Sequence, residues 1–201
     1  MDASGRRFWN ATSGCCDFGQ TGVDDVAYLR DLLHRALAAR PIDPARVYFV
    51  GHSNGAFMSY RMACALSPEI AAIGVIAGSD YPTDTECVPT MPLSVLHLHG
   101  TADPTIPYAG GSVGLASFPG AVTVVARWAA RAGCSATPTM GAALDIDSTV
   151  AGPESTPSIY GGCHSGLDVE LMTMQGTVHI PTFVPGAFGT SVLDWLLAHH
   201  R

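Results

Sequence analysis

The chain reads as an α/β protein, a mainly parallel sheet flanked by helices. Three observations predict this. Short apolar runs lie at 46–50, 73–77 and 93–99, helical periodicity falls between them, and 47% of residues are hydrophobic against 13% charged. Strands alternating with helices require crossovers, and right-handed crossovers cover both faces of a sheet. At 201 residues, one domain over 1–201 is expected, without internal repeat or linker.

The elements follow in order. Residues 23–40 form an amphipathic helix: Val26, Leu29, Leu33 and Leu37 recur at helical spacing, Asp24 and Asp25 suit its first turn, and Pro41 stops it. Residues 46–50 are β-branched and aromatic, as in a fully buried strand. A helix over 54–66 comes next, then strands at 73–77 and 93–99. The segment 117–131 contains a helix that starts after Pro119 and Gly120. Residues 135–166 are rich in Ser, Thr, Pro and Gly, which predicts loop. Residues 168–174 alternate like a strand, and 190–200 form a last short helix.

Charge and composition exclude several function classes. A net charge of −7 argues against a nucleic-acid partner, which requires a basic face. No apolar run approaches the ~20 residues of a membrane span, and the first ten residues lack the apolar core of a signal peptide. Six cysteines, Cys15, Cys16, Cys64, Cys87, Cys134 and Cys163, make an even set suited to disulfides in an oxidising compartment. No C-x-x-C or H-E-x-x-H spacing points to a metal, and no cofactor motif stands out.

The chemistry centres on "RVYFVGHSNGAFMSYRMAC", residues 46–64. G-x-S-x-G alone is weak evidence, and a second match, residues 110–114, follows a proline turn rather than a strand. A nucleophile needs a strand, a strained turn and a helix whose N-terminus faces the developing oxyanion. Ser53 has that setting and Ser112 does not. A serine hydroxyl also requires a base and an orienting acid. Asp103, in "VLHLHGTADPTIPY", and His179, in "MQGTVHIPTF", follow in the order Ser, Asp, His, each just past a strand. His97 and His99 share one strand face and are expected to be packed. His52 is expected to point away from the nucleophile, and His34, His199 and His200 to lie on helix surfaces. His164 is the remaining competitor for the base.

Together, "RVYFVGHSNGAFMSYRMAC", "LHLHGTADPTIPYAGG", "RAGC", "VELMTMQGTVH" and the N-terminal "RRFWNATSGCC" with "VDDVAYLRDLL" resemble the polyhydroxybutyrate depolymerase and feruloyl esterase (LpqC-like) family of α/β-hydrolases. The resemblance implies a secreted or periplasmic carboxylic ester hydrolase, without metal or cofactor, that works through an acyl-enzyme. Ser53 would be the nucleophile, His179 the base, Asp103 the orienting acid, and the N–H of Asn54 an oxyanion donor. Trp9 and Asn10 would line the pocket. Substrates in the family are hydroxyalkanoate polyesters or oligomers, feruloylated sugars and short-chain esters. The rival readings are a silent fragment or binding module, and an acyltransferase or peptidase on the same triad.

The sequence departs from the family in two places. Ile180 follows the base where the family usually has an aromatic residue, which weakens an aromatic-acid preference. The family also has tens of residues before Trp9, with two or more strands and a His-Gly turn that supplies an oxyanion N–H. The fold is therefore expected to be N-terminally shortened, with an open sheet edge and one oxyanion donor missing. Three explanations compete: a piece of a longer protein, a minimal hydrolase drawing its second donor from the 8–16 loop, or a homodimer covering the edge. The family pattern implies a Cys134–Cys163 disulfide and leaves the other four cysteines open. Cys15 and Cys16 are expected to take separate partners, because bridging neighbours strains the chain. Asn10-Ala11-Thr12 is a glycosylation sequon.

Overall fold

The computed structural model describes Gly5 and residues 7–113, 116–164 and 166–201. Most of the stretch before Arg7, and Gly114 of the second serine motif, lie outside the described residues. The chain runs through α1 (Asp25–Ala39), β1 (Tyr48–His52), α2 (Asn54–Ala65), β2 (Ala72–Ile76) and β3 (Ser94–Gly100). A hairpin of β4 (Gly110–Val113) and β5 (Ala116–Pro119) leads into α3 (Ala121–Arg131). Then come β6 (Thr139–Met140), β7 (Ser155–Tyr160) and β8 (Val169–Met174). A π-helical turn, Gly189–Leu193, runs into α4 (Asp194–Leu197).

Six strands form one sheet in the order β1-β2-β3-β8-β7-β6. The first four are parallel, while β7 and β6 extend the sheet antiparallel. Because side chains alternate across a strand, β3 splits its residues between two cores. Val95 joins Phe57, Tyr60, Val75, Val124, Trp128 and Leu171 under α2 and α3. Leu96 and Leu98 join Ile76, Met172, Val192 and Leu196 on the other face. The cores therefore use the periods of two and 3.6 that the sequence displays.

Four expectations need correction. β1 is not fully buried: Val50 is 44% exposed, because β1 pairs with β2 alone among the described residues and keeps one free edge. The expected α1 stripe faces inward, but Val26, Leu29, Leu33 and Leu37 are only half-buried. Residues 135–166 are not all loop. They hold β6 and β7, hidden because "STPSIY" carries a central proline and no apolar alternation. Finally, Cys15 bonds to Cys16, across a cis peptide, rather than to separate partners. Cys64 and Cys87, with Cα atoms 5.5 Å apart, satisfy each other, which leaves the neighbours paired. Cys134 bonds to Cys163. Among the described residues no helix is long and apolar enough to cross a membrane.

Candidate active site

The turn from β1 to α2 carries Ser53 with φ 56° and ψ −122°, a conformation that costs a non-glycine residue energy. Two glycines, Gly51 on β1 and Gly78 just after β2, explain how the turn closes. A Cβ on Gly51 would collide with the Gly55 carbonyl, and one on Gly78 with Ala56. The Ser53 N–H donates to the Ile76 carbonyl at 2.9 Å, tying the turn to β2. Its side chain makes no capping bond to the helix it precedes. Instead Ser53 Oγ lies 2.9 Å from His179 Nε2.

His179 stands on the loop after β8. Its Nδ1 is 2.8 Å from Asp103 Oδ2, which fixes the tautomer: Nδ1–H donates to the carboxylate and Nε2 is free to accept from Ser53. Asp103 sits on the turn after β3 with its side chain fully buried. Burial raises its pKa, but donors from His99, His179 and the Ile106 and Thr105 N–H groups outweigh that and hold it at about 2. A Cβ on Gly100 would collide with the Thr177 backbone, so glycine lets the two loops meet. There the Ala102 N–H donates to the Thr177 carbonyl at 3.1 Å.

The structure thus brings together Ser53, His179 and Asp103. It also shows contacts that sequence reasoning missed. His52 is nonetheless tied to the His179 loop: its Nε2–H donates to the His179 carbonyl at 2.7 Å, with the rings 4.8 Å apart. The loop that carries His179 is braced from the region expected to be irregular. Buried Asp147 accepts from the Thr182 N–H at 3.1 Å and from Thr149, and Glu154 accepts from the Ile146 and Asp147 N–H groups. No motif marks Asp147 or Glu154, because isolated acids in a polar segment carry no periodic signal.

At the N-terminal loop, Asn54 is the first residue of α2, so its N–H lacks an intrahelical partner. Its side chain clamps Trp9 from both sides, accepting from the Trp9 N–H at 2.7 Å and donating to the Trp9 carbonyl at 3.0 Å. Arg7, Phe8, Trp9 and Asn54 line one depression. Asn10 lines a second depression with Thr12 and Cys15, and its polar groups are engaged in structural bonds. Its N–H goes to Asp25, its side-chain amide to the Val23 carbonyl, and its own carbonyl accepts from Arg61. Neither the Trp9 nor the Asn10 N–H is therefore free to serve as a second oxyanion donor.

The other histidines lie elsewhere. His164 packs over Gly133, His34 pairs with Glu69, and His200 is exposed. His199 is buried rather than on a helix surface, with Nε2 2.9 Å from Asp168. Ser112 lies in β4 opposite Ser117 of β5, so the next described element is a strand rather than a helix. Cys64, Asp80 and Cys87 are close enough to hold a metal, but the two sulfurs are bonded to each other.

No protein-family model matches the chain. It is 28% identical over 179 residues to feruloyl esterase B of Piromyces equi, covering 85% of this chain and 31% of that protein. It is 32% identical over 111 residues to the putative esterase NocK of Nocardia uniformis, covering 55% and 32%. With feruloyl esterase C of Emericella nidulans it shares 27% identity over 176 residues, covering 82% and 59%. The chain thus spans about a third of the first two relatives. Among solved structures it superposes on an acetyl xylan esterase from Aspergillus awamori with a TM-score of 0.57, 16% identity, and coverage of 87% of this chain and 67% of that one. A thermostable esterase gives 0.56, 12%, 89% and 38%. The structural likenesses establish the α/β-hydrolase fold, here with its mainly parallel sheet.

Proposed function

We propose that this chain, a homologue of feruloyl esterases in the α/β-hydrolase fold, is a serine-dependent carboxylic ester hydrolase. The observation that carries the reading is the continuous Ser53–His179–Asp103 hydrogen-bond path at the strained strand-to-helix turn. Ser53 Oγ attacks the ester carbonyl carbon while His179 Nε2 takes its proton. The carbonyl oxygen gains negative charge and is met by the Asn54 N–H at the helix start. The tetrahedral intermediate collapses with cleavage of the ester C–O bond, and His179 gives its proton to the leaving alcohol. Water, deprotonated by His179, then attacks the acyl-Ser53 carbonyl; the acyl C–Oγ bond breaks, His179 returns the proton to Ser53 Oγ, and the acid leaves. Asp103 stays ionised throughout and stabilises the imidazolium. No step draws on a metal or cofactor.

The substrate class we favour is a short-chain or hydroxyalkanoate ester or oligomer. Val178 and Ile180 flank the base, 47% and 70% exposed, and offer aliphatic surface where an aromatic acid would seek a stacking partner. Feruloyl esters are the alternative that the named relatives support. The commitment of the Trp9 and Asn10 N–H groups favours a second reading, a slow enzyme running on one backbone donor, since one oxyanion donor is worth about 10²–10³ in rate. Three disulfides fit work outside the cytoplasm. Turnover of p-nitrophenyl butyrate tests the proposal. Ser53→Ala should lower kcat by about 10³-fold or more, and turnover surviving that change would remove Ser53 from its role.

A further inference from the structure

Behind the site lies a line of buried polar groups that the hydrolytic steps do not use. Tyr60 on α2 and His97 and His99 on β3 are each at most 1% exposed. Tyr60 Oη lies 2.8 Å from His97 Nδ1, and His97 Nε2 lies 3.1 Å from His99 Nδ1. His99 Nε2 lies 2.8 Å from the Ile106 carbonyl and 3.5 Å from Asp103 Oδ2. The line therefore ends on the turn that carries the acid of the triad.

One end fixes the direction of the whole line. The Ile106 carbonyl can only accept, so His99 Nε2 carries a hydrogen. With His99 uncharged, its Nδ1 must accept, so His97 Nε2 donates. His97 Nδ1 in turn accepts, and the Tyr60 hydroxyl supplies the first donor. A cationic His99 would reverse the order but would bury a charge whose nearest carboxylate oxygen is 3.5 Å away. Burial, with His99 as a secondary cause, holds His97 well below its usual pKa, and burial holds the Tyr60 hydroxyl well above its own. Both are thus kept in the forms the line requires.

We propose that Tyr60, His97 and His99 form a one-directional hydrogen-bond chain that keeps the His99 Nε2–H aimed at the Asp103 turn, making His99 a positioning residue for the carboxylate that orients His179. The proposal rests on the esterase reading for the role of Asp103. It uses two handles on one turn. His99 pins the Ile106 carbonyl and faces Asp103 Oδ2, while Asp103 Oδ1 takes the Thr105 and Ile106 N–H groups at 2.8 and 2.9 Å. If the His99 donor is lost, a carboxylate and a carbonyl face an empty or lone-pair-bearing position, and Oδ2 is free to leave the line to His179 Nδ1.

Two measurements on the full chain test this. In ¹⁵N-histidine-labelled protein, long-range ¹H–¹⁵N spectra should show His97 and His99 as neutral Nε2–H tautomers. An Nδ1–H or doubly protonated His99 overturns the chain. Kinetics then use p-nitrophenyl butyrate, with kcat expressed per site titrated by an organophosphonate, so that misfolded protein is not counted. His99→Leu should lower kcat about 10-fold at nearly constant KM, and Tyr60→Phe, which deletes only a hydroxyl, about 3-fold. His99→Gln, which restores a donor near the Nε2 position, should stay within about 3-fold of wild type. Equal per-site kcat in all variants, or the same loss in His99→Gln as in His99→Leu, overturns the positioning role. A wild-type chain that takes no phosphonate defeats the esterase reading instead, and the tautomer, read without substrate, still decides the direction of the chain.

Discussion

At Asp103 a single carboxylate accepts from His179 and two backbone N–H groups, with His99 Nε2 3.5 Å away, and its pKa falls from 3.8 to about 2. A depressed folded-state pKa stabilises the fold wherever the unfolded carboxylate is ionised, so the contribution is complete above about pH 4. It is lost as pH falls toward 2 and amounts to about 2 kcal/mol. Denaturant unfolding of wild type and Asp103→Asn should therefore show a gap in stability that narrows through that window, and parallel pH curves would contradict the assignment. Ser53 and Asp103 are legible from sequence because their turns have recognisable chemistry: glycines around the serine, and an Asp three residues beyond the strand-ending Gly100. The contact of His52 with the His179 loop is missed at this scale. Alternation along β1 sends His52 to the side opposite its neighbours, but that loop comes around to meet it there.

Among the elements, those that bury a continuous apolar run are legible and those that support the site through polar bonds are not. β2 and β3 are buried along their whole length and stand where the sequence places them. β7 escapes because Pro157 interrupts it and its neighbours are polar. Its loss from view also hides the 144–154 segment, which holds the base loop through Asp147 and Glu154. Asp147→Ala would leave the Thr182 and Thr149 N–H groups without their acceptor. We expect it to cost about 2 kcal/mol in stability and to lower kcat, because the loop carrying His179 gains freedom. Thermal unfolding together with kcat checks both. A variant that loses neither would show that the loop is held from elsewhere.

For the whole molecule, the β1 edge, unpaired among the described residues, and the depression beside Trp9 are two aspects of one arrangement. Among the described residues the sheet begins at β1, and the 7–16 segment meets α2 through side-chain clamps rather than a strand ladder. Alternating strands and helices announced the parallel part of this sheet. Its antiparallel extension and the pairing of Cys64 with Cys87, 23 residues apart, depend on long-range proximity, which local pattern does not encode. Whether this architecture carries a working nucleophile is tested most directly by mass spectrometry after exposure to a fluorophosphonate. The account predicts one adduct per chain on the peptide containing Ser53, absent in Ser53→Ala and slowed in His179→Ala. A folded wild-type chain that remains unlabelled, or carries its adduct on Ser112, would contradict it.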